Sequence, residues 1–286
     1  MMWIVWVLLA LLILLLAYAW AIRPNLPRRD ISSLMGVDYA HRGLWNTNEP
    51  DEENRPADGL RPENSLAAFR AAVEKGYGIE LDVHRTRDGA LVVHHDDSLK
   101  RLTGTDIRIA DSTLKELRAC TLPNGEPIPT FDEVLKAVSG RVPLIVELKV
   151  ENGNQDLLSR AVYDRMKRYN GPWCMESFMP GAVKWFRKNA PEVIRGQLAF
   201  DHAGTGKTAF LFWRNIGIAS MLQNFASRPD FVAFEAKSVK WHTLSIHLLR
   251  LMKPWFVAWT VRSQEDMDKN RRRWDLQIFE KFEAQK

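Results

Sequence analysis

The stretch YGIELDVHRTRDGALVVHHDD (77–97) places Glu80 and Asp82 two apart, followed by His84, His94 and His95. Residues two apart in an extended segment share a face, with Cα atoms roughly 6–7 Å from each other. A third carboxylate, Glu147, closes the apolar run VPLIVELK (142–149), and Lys149 follows on the same face. A carboxylate buried without a partner is strongly disfavoured, so a convergence of three asks for neutralising charge. Anionic oxygens alone suit a hard divalent cation, Mg²⁺ or Ca²⁺, rather than zinc. Lys149 is placed to meet an anionic substrate or to balance the carboxylates. His94 and His95, adjacent in an extended run, point to opposite sides. One faces the site; the other packs outward or meets solvent. His84 shares the face of Glu80 and Asp82 one step beyond them, where it lines the mouth or reaches the metal.

Such groups need elements that bring them together. They stand at the ends of apolar runs, in AHRG (40–43), IELDVH (79–84) and VELK (146–149). Short β-rich runs at 37–41, 78–84, 142–148, 173–177, 193–199, 231–235, 255–260 and 275–279 alternate with helical patterns at 64–75, 154–169, 180–189, 205–219, 239–251 and 263–272. Asn64-Ser65 caps the first of these helices and Gly76 closes it. Eight strands alternating with helices predict an α/β fold, a (β/α)8 TIM barrel, although a doubly wound sheet gives a similar pattern. In a barrel, active groups collect at the C-terminal strand ends. Residues 85–135 fit the alternation less well. They read as a hairpin turning at Asp88-Gly89 and two short helices, a short insertion after the second strand.

The chain has 286 residues, a net charge of +5 and 46% hydrophobic residues, which excludes a disordered protein. No Lys/Arg run is dense enough for nucleic acid, and RRR (271–273) reads as a solvated helix face. Cys120 and Cys174 form no disulfide framework or thiolate metal pattern. Residues 2–22 carry no charge and span roughly 30 Å as a helix, the thickness of a bilayer core. Trp3, Trp6, Tyr18 and Trp20 lie towards the two ends, where aromatic side chains favour the interface. A cleaved signal is the competing reading, but the segment lacks a basic start and its apolar run is long. The expected organisation is a transmembrane anchor (2–22), a linker (23–36) and a barrel (37–286). Arg23, Arg28 and Arg29 flank the span on its C-terminal side, so the positive-inside rule puts a single-pass protein's barrel on the cytoplasmic side of the cell membrane.

The ordered set HRG (41–43), RPENS (61–65), ELDVHRTRDGALVVHHDDSLKRLTG (80–104), IPTFDEVL (128–135), ELK (147–149) and WTV (259–261) resembles the glycerophosphodiester phosphodiesterase family. The resemblance covers 38–280. It implies a metal-dependent TIM barrel that splits glycerophosphodiesters into glycerol 3-phosphate and an alcohol. It further implies that Glu80, Asp82 and Glu147 hold the Mg²⁺ or Ca²⁺ and that His41 and His95 are the acid–base pair. Arg42 and Lys149 would bind the phosphate. Glu63 and Asn64, at the family's PEN motif, would support the site from behind or border the metal. The histidine before an aspartate in the family pattern is His95, with Asp96 behind it to orient the ring. The family's route uses the glycerol 2-hydroxyl as internal nucleophile through a cyclic phosphate. Two departures, Ser65 for the usual Thr and IFE (278–280) for ITD, are expected to lie away from the chemistry. The short insertion leaves the site more open to large substrates.

Lysophospholipase D-type hydrolysis of membrane lysophospholipids is the alternative on the same scaffold, with the bilayer as partner. An amidohydrolase barrel needs H-x-H on the first strand, and His41 is followed by Arg42 and Gly43. A catalytically dead binding module would have lost a ligand or a histidine. GTGKT (204–208) lacks the glycine of a nucleotide-binding loop, since position 201 is Asp. His242 and His247 are five apart and do not stack on a helix face. The apolar segment 209–222 reads as a helix packed on the barrel or as a lip that meets lipid.

Overall fold

A computed structural model describes residues 2–47, 59–201, 208–238 and 244–285. The segments GTGKT up to residue 207 and His242 lie outside the described residues. Helix α1 (Met2–Ile22) is apolar on every side, and residues 2–17 are all exposed. It is the one described helix long and apolar enough to cross a membrane. Strands β1 (Tyr39–His41) and β2 (Gly78–Arg85) follow, then β3 (Leu91–Val93), antiparallel to the end of β2. The remaining strands are β4 (Leu144–Leu148), β5 (Trp173–Ser177), β6 (Arg195–Ala199), β7 (Phe231–Glu235), β8 (Trp255–Val261) and β9 (Leu276–Phe279). Apart from β3 they are parallel, and pairing of β1 with both β2 and β9 closes them into an eight-stranded barrel. The doubly wound alternative is thereby excluded.

Period-two alternation explains the interior. Along β1, β2, β4 and β5, the residues Tyr39, His41, Glu80, Asp82, Ile145, Glu147, Cys174 and Glu176 belong to one face. Ala40, Ile79, Leu81, Val83, Leu144, Val146 and Met175 belong to the other, and bury against the surrounding helices. The inner apolar set, with Tyr39, Ile145, Cys174, Phe231 and Ile278, fills the lower barrel. Ile31 and Leu34 belong to it, so the expected linker is packed beneath the barrel. There, Arg29 donates to the carbonyls of Pro191, Glu192 and Val193, and the Trp255 indole donates to the Arg29 carbonyl.

Helix α2 (Leu66–Lys75) starts where the Ser65 hydroxyl accepts from the Ala68 amide, and ends at Gly76 with φ +69°. The insertion carries α3 (Lys100–Thr103) and α4 (Leu114–Leu117) over their own apolar cluster of Val92, Leu99, Ile109 and Leu117. It ends earlier than expected. A capping box between Thr130 and Glu133 starts α5 (Phe131–Val138), whose apolar stripe packs on the barrel as one of its helices. Helices α6 (Gln155–Met166), α7 (Pro180–Asn189), α8 (Ala209–Ala219), α9 (Asn224–Ser227), α10 (Leu244–Met252) and α11 (Gln264–Asn270) follow, and α1 rests on α9 and α10.

Candidate active site

Register alone gathers the carboxylates. His41 pairs with Glu80 across β1 and β2, Asp82 with Glu147 across β2 and β4, and Glu147 with Glu176 across β4 and β5. One oxygen from each of Glu80, Asp82 and Glu147 lies within 4.8 Å of the others, and all three residues are buried. Lys149 Nζ bridges Asp82 Oδ1 and Glu147 Oε1, each at 2.8 Å. Burial works against ionisation of Asp82, but Lys149, then His95 and Arg42, outweigh it and hold the carboxyl well below its usual range. Glu80 goes the other way: burial, then Asp82 and Glu147, push it well above. Burial and Asp82 also raise Glu147 against the pull of Lys149. Glu80 Oε1 accepts no hydrogen bond although it is buried. An orphaned carboxylate oxygen beside two more hard donors fits a divalent cation held by these three residues.

The loop after β1 is shaped for this cluster. Arg42 adopts φ +58°, a left-handed conformation uncommon outside glycine, and its backbone N–H donates to Glu80 Oε2 at 3.0 Å. A Cβ at Gly43 (φ +81°) would stand 2.9 Å from the Ala68 carbonyl carbon, so the turn admits only glycine. Asn64, also left-handed, donates from its backbone to the Arg42 carbonyl and from Nδ2 to Asp82 Oδ2 at 2.8 Å. Glu63 accepts from Arg42 Nη1 at 2.7 Å and from Arg101 Nη2 at 2.6 Å. The two polar residues of the PEN motif therefore brace the site, Asn64 through a candidate ligand and Glu63 through two arginines.

The histidines separate cleanly. His41 and His95 line one cavity of about 300 Å³ together with Arg42, Glu80, Glu147, Lys149 and Glu176. His41 Nδ1 donates to Glu280 Oε2 at 2.6 Å and His95 Nδ1 to Asp96 Oδ1 at 2.7 Å. A carboxylate only accepts, so each ring carries its hydrogen on Nδ1 and leaves Nε2 for other work. Burial, then the Arg42 charge, holds His41 below the ordinary histidine value despite Glu280. Asp96 is fixed in turn by Arg101 Nε at 2.6 Å. His84 is turned away from the cluster, its Nδ1 donating to Glu151 at 2.6 Å and its Nε2 lying 3.3 Å from the His95 carbonyl oxygen. It neither lines the cavity nor belongs to the carboxylate cluster. His94 stays out of that cavity and does not meet solvent. It is fully buried against the Ser98 carbonyl, and burial, then His84, lowers it to about 4.

Three residues escaped the sequence reading. Glu176 ends β5 in register with Glu147; burial, then Glu147, raises its carboxyl well above the usual range, and its Oε2 has no hydrogen-bond partner. Its signal was an acid closing the apolar run WCMES, the pattern already visible in IELD and VELK. Arg101 joins Glu63 to Asp96 from a helix whose placement no local pattern shows. Glu280 overturns the expectation that the IFE departure lies away from the chemistry, since it holds His41 and accepts from Arg262 Nε at 2.7 Å. The cavity's other side is apolar. Phe178, Leu198 and Trp259 line it, with Phe178 edge-on to Trp259 at 5.6 Å between ring centroids.

Comparison with known proteins sets this geometry among relatives. The profile of the glycerophosphoryl diester phosphodiesterase family matches residues 41–274. The Bacillus subtilis protein YhdW, named for glycerophosphodiester phosphodiesterase activity, is 30% identical over 223 residues, covering 74% of this chain and 86% of that protein. A human protein named lysophospholipase D is 36% identical over 131 residues, 41% of this chain and 40% of its own length. The structure of an Oleispira antarctica phosphodiesterase in complex with the product sn-glycerol-3-phosphate superposes with a TM-score of 0.66. It is 21% identical and the alignment covers 87% of this chain and 94% of that one, a likeness of fold.

Proposed function

Because the chain belongs to the glycerophosphoryl diester phosphodiesterase family, we propose that it hydrolyses glycerophosphodiesters to glycerol 3-phosphate and an alcohol, with His41 and His95 as the proton-exchanging pair. The observation that carries this reading is the single cavity in which both imidazoles share space with the carboxylate cluster and Lys149. Each ring is locked through Nδ1 by a carboxylate, so Nε2 is the atom that takes a proton from the attacking oxygen or gives one to the leaving alcohol. Arg42 and Lys149 bind the phosphate oxygens. Glu80, Asp82 and Glu147 would hold Mg²⁺ or Ca²⁺, which supplies charge neutralisation at the phosphoryl group. Asn64 keeps Asp82 oriented, while Glu63 sets the position of Arg42.

A membrane lysophospholipid is the second reading. The apolar wall of Phe178, Leu198 and Trp259 favours it, and one relative is named lysophospholipase D. In both readings α1 is an uncleaved anchor with the barrel on the cytoplasmic side. The purified full chain, tested on glycerophosphocholine and on lysophosphatidylcholine with glycerol 3-phosphate and choline measured separately, decides. Choline and glycerol 3-phosphate in equal amounts from the first substrate are expected; no turnover of either substrate with Mg²⁺ or Ca²⁺ present would refute the hydrolase reading.

A further inference from the structure

We propose that Arg23, Arg187 and Arg228, gathered beside Trp20 and Phe225 at the C-terminal end of α1, form a binding surface for the headgroups of anionic phospholipids. This rests on the reading of α1 as an uncleaved anchor, and holds whichever way the catalytic mouth faces. The last carbonyls of a helix need donors from outside it. Asn224 Nδ2 donates to the Ile22 carbonyl, and Arg228 Nη1 to those of Trp20, Ala21 and Arg23. Both donors come from the segment between α8 and β7, so the end of α1 is held at the N-terminal end of the barrel. Depth then follows from α1 itself. Its 21 residues make roughly 32 Å of helix at 1.5 Å per residue, close to a hydrocarbon core of about 30 Å. Trp20 therefore stands where the headgroups begin, and side chains that touch it share its depth.

Three arginines meet at that depth. The guanidiniums of Arg228 and Arg23 lie 5.0 and 5.8 Å from the Trp20 ring centroid. Phe225 packs on the same indole at 5.2 Å between centroids, and Arg187 of α7 donates to the carbonyl of the next residue, Ala226. Among the described residues, none of the three guanidiniums meets a carboxylate; Arg187 and Arg228 donate only to backbone carbonyls. Burial, then Arg23 and Arg187, hold Arg228 below the usual arginine value. Arg29 and Arg195, also at the N-terminal end of the barrel, instead share Asp230. The fold thus leaves positive charge uncompensated where α1 meets the barrel, and a phosphate diester suits the guanidinium fork. The neighbouring surface is apolar. Trp20, Leu222 and Phe225 are 52%, 47% and 53% exposed, and the last two lie one turn apart. Scattered exposed apolar residues are ordinary, but these adjoin an apolar span and three cations. Free phosphate would answer the charge and leave the rings in water. A lipid headgroup region answers both.

The test uses the full chain reconstituted in vesicles of phosphatidylcholine with a minor share of phosphatidylglycerol. A single fluorescent label is placed at Leu222→Cys; the native Cys120 and Cys174 are buried. Bromine is carried either on the phosphatidylglycerol or on an equal amount of the phosphatidylcholine. Brominated phosphatidylglycerol is expected to quench roughly fivefold more, the scale of one basic residue at an anionic surface. Arg23→Gln combined with Arg187→Gln should bring the two lipids level and leave glycerophosphocholine turnover unchanged. Lysine at both positions, which keeps the charge, should keep the preference; equal loss in the glutamine and lysine pairs would contradict the inference. Equal quenching by the two lipids in the wild-type chain, or quenching only from water, would overturn it while glycerophosphocholine turnover keeps the hydrolase reading intact. So would a label shielded from every quencher at doubled mass, which assigns the surface to a second copy of the chain. Inorganic phosphate that erases the preference as fully as the glutamine pair would assign the arginines to a free anion instead of lipid. Protein released from the vesicles by carbonate would refute the anchor and this surface together. A phosphatidylglycerol preference without glycerophosphocholine turnover would count against the hydrolase reading and leave the lipid surface standing.

Discussion

The two halves of the barrel mouth are built on opposite plans. Strands β1, β2 and β4 carry His41, Glu80, Asp82 and Glu147, cross-braced to one another through Arg42, Asn64 and Lys149. Beyond Glu176, β5, β6 and β8 present Phe178, Leu198 and Trp259, with Phe178 edge-on to Trp259. The first half is costly to bury and tolerates it only because each charge has a partner or a ligand to meet. Burying the second half is favourable in itself. The phosphate chemistry and the grip on a substrate's apolar part are therefore separable, and substitutions in one half should leave the signature of the other untouched.

The largest expected effect lies in the charged half. Chelation with EDTA should abolish phosphodiester hydrolysis, and Mg²⁺ or Ca²⁺ should restore it; undiminished turnover in chelator would remove the metal from the scheme. Asp82→Asn should weaken metal affinity by at least the ~100-fold that changes behind a ligand can reach. Next come the histidines. His95→Ala and His41→Ala should each lose ~100-fold or more in turnover, the scale of a missing acid–base group. His84→Ala should be intermediate through the His95 backbone, and a dead His94→Ala beside an active His95→Ala would reverse the assignment. Glu280→Gln takes the carboxylate from His41 Nδ1 and should cost roughly 10–100-fold in kcat with KM little changed, the scale of partners that hold a functional histidine. A KM effect alone would make Glu280 a substrate contact instead.

In the apolar half, Trp259→Ala should raise KM for lysophosphatidylcholine about 10-fold, or ~1.4 kcal/mol of lost contact, and change glycerophosphocholine hydrolysis less. Equal effects on both substrates would erase the division of labour. The smallest effect on turnover belongs to His94, whose influence is on stability. Its folded pKa of about 4 lies below its unfolded value of about 6.5, so the unfolded chain binds the proton first. Stability is then fully present above the unfolded value and falls as pH drops from there through about 4. Thermal melts across that range should show a flatter dependence in His94→Gln; an unchanged slope would assign the proton elsewhere.

The charged half was legible because its chemistry is written in short spacings. Two carboxylates at i and i+2, and acids closing apolar runs, state both the face and the end of a strand. All eight barrel strands were visible for the same reason, each a short apolar run between turn and helix signals. What depended on distant packing was not. Glu280 meets His41 across 239 positions, and Arg101 reaches Glu63 from 38 positions away. The choice for His94 between packing outward and meeting solvent stayed open, because a histidine beside a functional one carries no local sign of the insertion that covers it. The start of α5 was misplaced although the Thr130–Glu133 capping box was in plain view, because the insertion's irregular spacing drew it in.

The segment between α1 and β1 has a mechanical consequence. Flexible linkers let a tethered domain sweep a volume whose radius grows with linker length. Here Asn25, Arg29, Ile31 and Leu34 are each fixed to the underside of the barrel, leaving no slack to sweep. Helix α1 and the barrel then move as one stiff lever, so whatever holds the helix also sets the height and tilt of the mouth.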